Sequence, residues 1–141
     1  MYIRYVAYFD EGENPWHQNG LLTFSQQRIE EGQIHKEVRK SIRRVFKWYN
    51  KYIPCPPFRK MKKKDKWSAD TICWWKESVE CNKITIHLMR KLTQLLRWQG
   101  YRVKVMKTNR PGKIVYEDEY QIVAEIPKNK KDVAQVFEGG Y

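Results

Sequence analysis

The sequence predicts an α+β fold, an antiparallel or mixed sheet of about four strands carrying two long amphipathic helices on one face. Three observations predict it: β-rich runs stand near both ends of the chain, two apolar stripes at helical spacing lie between them, and clusters of turn formers separate the runs. Two of the expected strands are amino-terminal and two carboxy-terminal.

Residues 2–9, YIRYVAYF, are aromatic and β-branched. Ile3, Tyr5, Ala7 and Phe9 fall on one side of an extended chain, with Tyr2, Arg4, Val6 and Tyr8 on the other, which predicts a strand. DEGENPWHQNG, residues 10–20, is dense in turn formers, and LLTFSQQRI after it is expected to return as a second strand, closing a hairpin with a long loop. From Gln33 to about Lys51, the residues Ile34, Val38, Ile42, Val45, Phe46 and Tyr49 recur at intervals of three and four, an amphipathic helix. Pro54, Pro56 and Pro57 end it, because proline lacks an amide donor and disfavours helix in the residue before it.

FRKMKKKDKW is too charged to bury and has no period, so residues near 56–66 read as an exposed basic loop. DTICWWKESVE, residues 70–80, is expected to be a short helix capped by Ser68 or Asp70. A second long helix follows. Asn82 is its expected N-cap, Ile84, Leu88, Leu92, Leu95 and Leu96 its stripe, Lys83, Arg90 and Arg97 its outer face, and Gly100 its C′ residue. YRVKVMKT and KIVYEDEYQIVAEI, joined by NRPG, predict a closing hairpin ended by Pro127. Residues near 128–141 are expected to fray, and residues 1–141 to form one domain.

Hydrophobic residues make up 41% of the 141, enough to build a core although 31% are charged. No apolar run approaches the roughly 20 residues that span a bilayer, and MYIRYVAYFDEGE has neither the basic start nor the cleavage site of a secretory signal. The expected location is the cytoplasm, with no membrane partner. Cys55, Cys73 and Cys81 form no CxxC pair, which argues for reduced thiols rather than a disulfide framework.

The formal charge of +12 is unevenly placed. Residues 1–35 carry two basic groups against five acidic, residues 36–66 thirteen against two, and residues 67–141 thirteen against nine. Nearly all the excess therefore lies in the first long helix and the loop after it. At about 100° per residue, Lys36, Arg39, Lys40, Arg43, Arg44 and Lys47 share the arc opposite the apolar stripe. Lys51, Arg59, Lys60, Lys62, Lys63, Lys64 and Lys66 continue the run.

A ridge of Lys and Arg beside a row of phosphates gains affinity by releasing counterions, so this segment is the candidate contact for DNA or RNA. Six tryptophans accompany it. Trp67 and Trp75 are the candidate stacking rings for unpaired bases, whereas Trp48 and Trp98 at helix margins are expected to be buried. The competing plain reading is a solvated helix face plus a solubilising loop.

The leading expectation is thus a non-enzymatic nucleic-acid-binding protein without cofactor or metal. The alternative is an inhibitor or adaptor acting on an acidic protein or ribonucleoprotein, which suits an accessory factor of a phage or mobile element. A third reading sets Asp10, Glu11 and Glu13 against Glu117, Asp118 and Glu119 to hold Mg²⁺, with His17 as general base of a nuclease. A fourth collects zinc from Cys55, Cys73, Cys81 and His87, although no two have the short chelating interval of structural sites. Nucleotide-binding and hydrolase signatures such as GxxxxGK[ST], GxGxxG, GxSxG and HExxH do not occur.

Overall fold

The structure is a computed structural model that describes residues 1–8, 19–54, 71–126 and 135–138. Its strands are β1 (Tyr2–Tyr8), β2 (Asn19–Gly20), β3 (Thr71–Lys76), β4 (Arg102–Thr108), β5 (Ile114–Glu117), β6 (Gln121–Glu125) and β7 (Gln135–Glu138). Its helices are α1 (Leu21–Glu30), α2 (Lys36–Tyr52) and α3 (Lys83–Trp98), the last entered through a 3-10 turn at Glu80–Asn82. The fold is α+β, with every strand pair antiparallel in the order β5-β6-β3-β1-β4-β7 and the two-residue β2 paired to β1.

Helices cover one face of the sheet. Ile3, Tyr5 and Ala7 of β1 with Val103 and Val105 of β4 pack there against Phe24, Ile42, Val45, Leu92 and Leu96. The opposite face is also dry: Val6, Ile72, Trp74, Met106, Ile122 and Ala124 form a second buried cluster. The predicted alternation of β1 is therefore real on both sides, and Trp74 and Trp75 point to opposite faces as neighbours in a strand must.

Several expectations are corrected. Residues 21–29 are a helix, not a returning strand: the buried positions Leu21, Phe24, Ser25, Arg28 and Ile29 are spaced three and four apart. Residues 71–76 are the strand β3 rather than a short helix, since Thr, Ile and two Trp favour an extended, alternately packed chain. The NRPG turn joins no hairpin, because β4 lies between β1 and β7 while β5 pairs with β6 at the far edge. The hairpin there is β5–β6, turning at Asp118. Within the expected frayed tail, residues 135–138 pair with β4 from Lys104↔Glu138 to Lys107↔Gln135. The count of strands and helices exceeds the prediction accordingly.

Both α1 and α3 stop in the same way. Gly32 (φ 70) and Gly100 (φ 88) adopt left-handed conformations, with Gln33 N donating to Arg28 O and Tyr101 N to Leu96 O, the six-residue closure that satisfies terminal carbonyls. Helix α2 ends as predicted: Ile53, before Pro54, is extended at φ −105 and ψ 125. Asn82 stands at the N-cap position of α3 as expected, but its side chain makes no capping hydrogen bond. Its Nδ2 instead donates to Lys76 O at 2.8 Å and Tyr120 O at 2.6 Å, tying the helix start to β3 and the β5–β6 turn.

Candidate nucleic-acid interface

Helix α2 owes its orientation to its apolar stripe, in which Ile42, Val45 and Tyr49 are buried and Val38 and Phe46 pack against the same core. Tyr49 donates its hydroxyl to Thr85 O near the start of α3, and His35 N, at the start of α2, donates to Gln99 Oε1 beyond the end of α3. The two helices therefore lie antiparallel, side by side on the sheet. At its amino end His35 Nδ1 accepts from Glu37 N at 3.2 Å.

With the stripe turned inward, the opposite arc is turned to solvent. Lys36, Lys40, Arg43, Arg44, Lys47 and Lys51 are exposed and Arg39 is half-buried. A rise of about 1.5 Å per residue spreads these seven over roughly 22 Å, one cation per 3–4 Å, close to the roughly 3.4 Å per phosphate along one strand of a duplex.

The charge on this arc is scarcely spent on the described residues. Among the described residues its single ion pair is Lys40 with Glu37, 3.8 Å apart and both well exposed, a pair worth little in water. Four of the described acidic groups elsewhere are engaged where they stand: Glu117 with Lys76 at 2.6 Å, Glu77 with Lys107 at 2.7 Å, Glu80 with Lys83 and Glu31 with Arg28, each at 3.0 Å.

Aromatic side chains are distributed differently from the expectation. Trp98 is 74% exposed, not buried; on α3 it shares the outer arc with Ile84, His87, Lys91 and Gln94, and it lies one residue from the Gln99 contact with the start of α2. The helical wheel of residues 83–98 already carries this placement, because 84, 87, 91, 94 and 98 repeat every three or four. Trp48 is half-buried, with its ring 5.2 Å from Tyr52, and Tyr52 is half-exposed with Lys51 Nζ 5.1 Å from its centroid. Trp75 does not join the ridge. It packs beneath α2 with its ring 5.7 Å from that of Tyr49. Arg59, Lys60, Lys62, Lys63, Lys64, Lys66 and Trp67 lie outside the described residues, as do Asp10, Glu11, Glu13, His17 and Cys55.

The carboxylates of the β5–β6 turn have structural tasks. Asp118 Oδ1 accepts from Tyr120 N and Gln121 N, and Oδ2 from Tyr116 Oη and Gln121 Nε2. Cys73 sits in β3, Cys81 in the 3-10 turn with Sγ donating to Glu119 O, and His87 on the outer face of α3. Among the described residues no three His, Cys, Asp or Glu side chains stand together as metal ligands. Arg97, expected on the outer face of α3, is half-buried with Nη2 donating to Val103 O, while Ile84, expected in the stripe, is 58% exposed. No described helix is long and apolar enough to cross a membrane.

Comparison with protein-family models, with curated proteins and with solved structures finds no match.

Proposed function

We propose that this protein binds nucleic acid without catalysing a reaction, gripping the phosphate backbone with the outer face of α2. The observation that carries the reading is the set of seven cations on one arc of α2, six exposed and Arg39 half-buried, with a single weak carboxylate contact among the described residues. Such contacts position a strand without reading its sequence. Trp98 and Tyr52, exposed at opposite ends of the helical layer, supply rings on which unpaired bases stack.

Binding isotherms for single-stranded and duplex DNA and RNA over a salt series test the proposal. Affinity is expected to fall steeply with salt, with a log–log slope of several units set by the phosphates contacted. Combined Lys40→Glu and Arg43→Glu, both solvent-exposed, should abolish the interaction without unfolding the chain. A flat salt response, or binding that survives this reversal, overturns the reading.

One observation favours a second reading, an adaptor or inhibitor acting on an acidic protein or ribonucleoprotein: Trp98 and Ile84 are large apolar side chains exposed on the same helix. A stoichiometric protein partner recovered after nuclease treatment and lost on Trp98→Ala would establish that alternative.

A further inference from the structure

Helix α3 turns a second row of side chains to solvent beside the α2 ridge. Ile84, His87, Lys91, Gln94 and Trp98 recur every three or four residues, so one stands at each turn over roughly 21 Å. The row runs alongside the ridge because the helices are antiparallel neighbours: Tyr49 Oη donates to Thr85 O at one end and His35 N to Gln99 Oε1 at the other. Trp98 therefore stands by the Lys36 end of α2, and Ile84 by the Tyr52 end.

The two rows differ in chemistry. That of α2 is cationic from end to end, whereas that of α3 combines an indole, an imidazole, an amide, an aliphatic group and a lysine. No Asp or Glu occurs between Lys83 and Trp98, so no carboxylate of α3 repels an anion held on the ridge. Trp98 and Ile84 are the most exposed large hydrophobic side chains among the described residues, and among those residues no ring packs on Trp98. Packed helices lie about 8–10 Å apart axis to axis, close to the reach of a nucleotide from phosphate to base. A second copy of this chain, also carrying +12, is repelled by such a surface, and a duplex keeps its base faces stacked away from Trp98.

Taking the α2 arc as the phosphate grip, on which this inference rests, we propose that the ligand is an unpaired strand of DNA or RNA lying along both helices, its phosphates on α2 and its bases on the outer row of α3. Every base has a π-face, so Trp98 and His87 take bases by stacking whatever the sequence, and Ile84 offers an apolar contact at the far end. At between about 3.4 Å per nucleotide, as in a stacked strand, and about 5.4 Å, one per helical turn, the row holds roughly four to six nucleotides.

Fluorescence anisotropy of the full chain with labelled oligonucleotides tests the proposal. The probes are thymidine and uridine strands of increasing length, an abasic strand of matched length that keeps its phosphates and lacks bases, and a duplex. Affinity for the base-bearing strands is expected to climb steeply up to roughly four to six nucleotides and slowly beyond. The tighter of the thymidine and uridine strands identifies the sugar. At equal length the abasic strand should bind at least about tenfold more weakly than the thymidine strand, and the duplex more weakly than the unpaired strand. Combined His87→Ala and Trp98→Ala, both exposed, should close the gap between base-bearing and abasic strands and leave the salt slope for the abasic strand as it was. Salt-dependent binding with equal affinity for abasic and base-bearing strands, a gap that persists in the double variant, or a duplex bound at least as tightly as the unpaired strand overturns this proposal and leaves the α2 reading standing. Absence of salt-dependent binding to every probe overturns both, and a protein partner recovered after nuclease treatment and lost on Trp98→Ala would then assign the α3 row to protein.

Discussion

The Tyr49 hydroxyl donates a 2.5 Å hydrogen bond to the backbone carbonyl of Thr85, joining α2 to α3 across 36 residues of sequence inside the core. That bond sets the roll of α2 about its axis, and the roll sets which side chains meet solvent. Tyr49→Phe keeps the ring and removes this bond, while Thr85 lies within α3, whose ladder still serves its carbonyl. The expected loss is about 0.5–1.5 kcal/mol, a fall of roughly 1–6 °C in melting temperature for a chain of this size, measured by thermal unfolding.

Burial also pushes the Tyr49 pKa far above its ordinary value near 10, with Tyr5 adding to the shift. In the unfolded chain this tyrosine loses its proton above about pH 10 while the folded chain keeps it. The unfolded state then binds fewer protons, so stability falls as pH rises past 10 and is fully present below. Urea titrations from pH 8 to 11.5 should show a steeper alkaline loss for the wild type than for Tyr49→Phe, the difference approaching one proton.

Trp74 and Trp98 should behave as opposites. Trp74 has no exposed surface and fills the second core cluster, so Trp74→Ala is expected to cost about 3–5 kcal/mol, a large share of a typical domain's stability. Trp98→Ala should change stability by less than about 0.5 kcal/mol. If Trp98 stacks on a base, the same change weakens single-stranded binding by about 1–3 kcal/mol and duplex binding far less.

Replacing Arg43 and Lys47 by alanine should lower the magnitude of the duplex salt slope by about 2, roughly 0.9 per lost phosphate contact. Circular dichroism of the pair should be unchanged, because both side chains are exposed. An unaltered slope would place the phosphates somewhere other than α2.

Gly100→Ala tests the end of α3. A Cβ there meets nothing within 4 Å, so the cost arises from the left-handed backbone at φ 88 alone and should be about 1–2 kcal/mol by chemical denaturation.

What escaped the sequence reading has definite causes. The stripe of α1 was masked by Ser25 and Arg28, polar residues in a buried row; the Arg28 guanidinium lies 4.8 Å from the Phe24 centroid and pairs with Glu31. Trp75, expected as a stacking ring, packs beneath α2 instead, because the sheet is covered on both faces and neither of two adjacent strand tryptophans meets an open side. NRPG predicted a hairpin from its local composition and joins none, since β4 is held at seven positions by β1 while β5 pairs with β6.

Composition and periodicity alone determined the α+β class, the bounds of α2 to within three residues, the glycine stop of α3 and the segregation of charge on the α2 arc. These are properties of residues within one or two turns of each other, where backbone geometry dictates which side chains share a face. Strand order, the seating of Trp98 beside the start of α2 and the packing of Trp75 beneath α2 were decided only by the tertiary structure. Each depends on which distant segments bury their apolar surface against one another, a choice made by the free energy of the whole chain rather than by any local pattern.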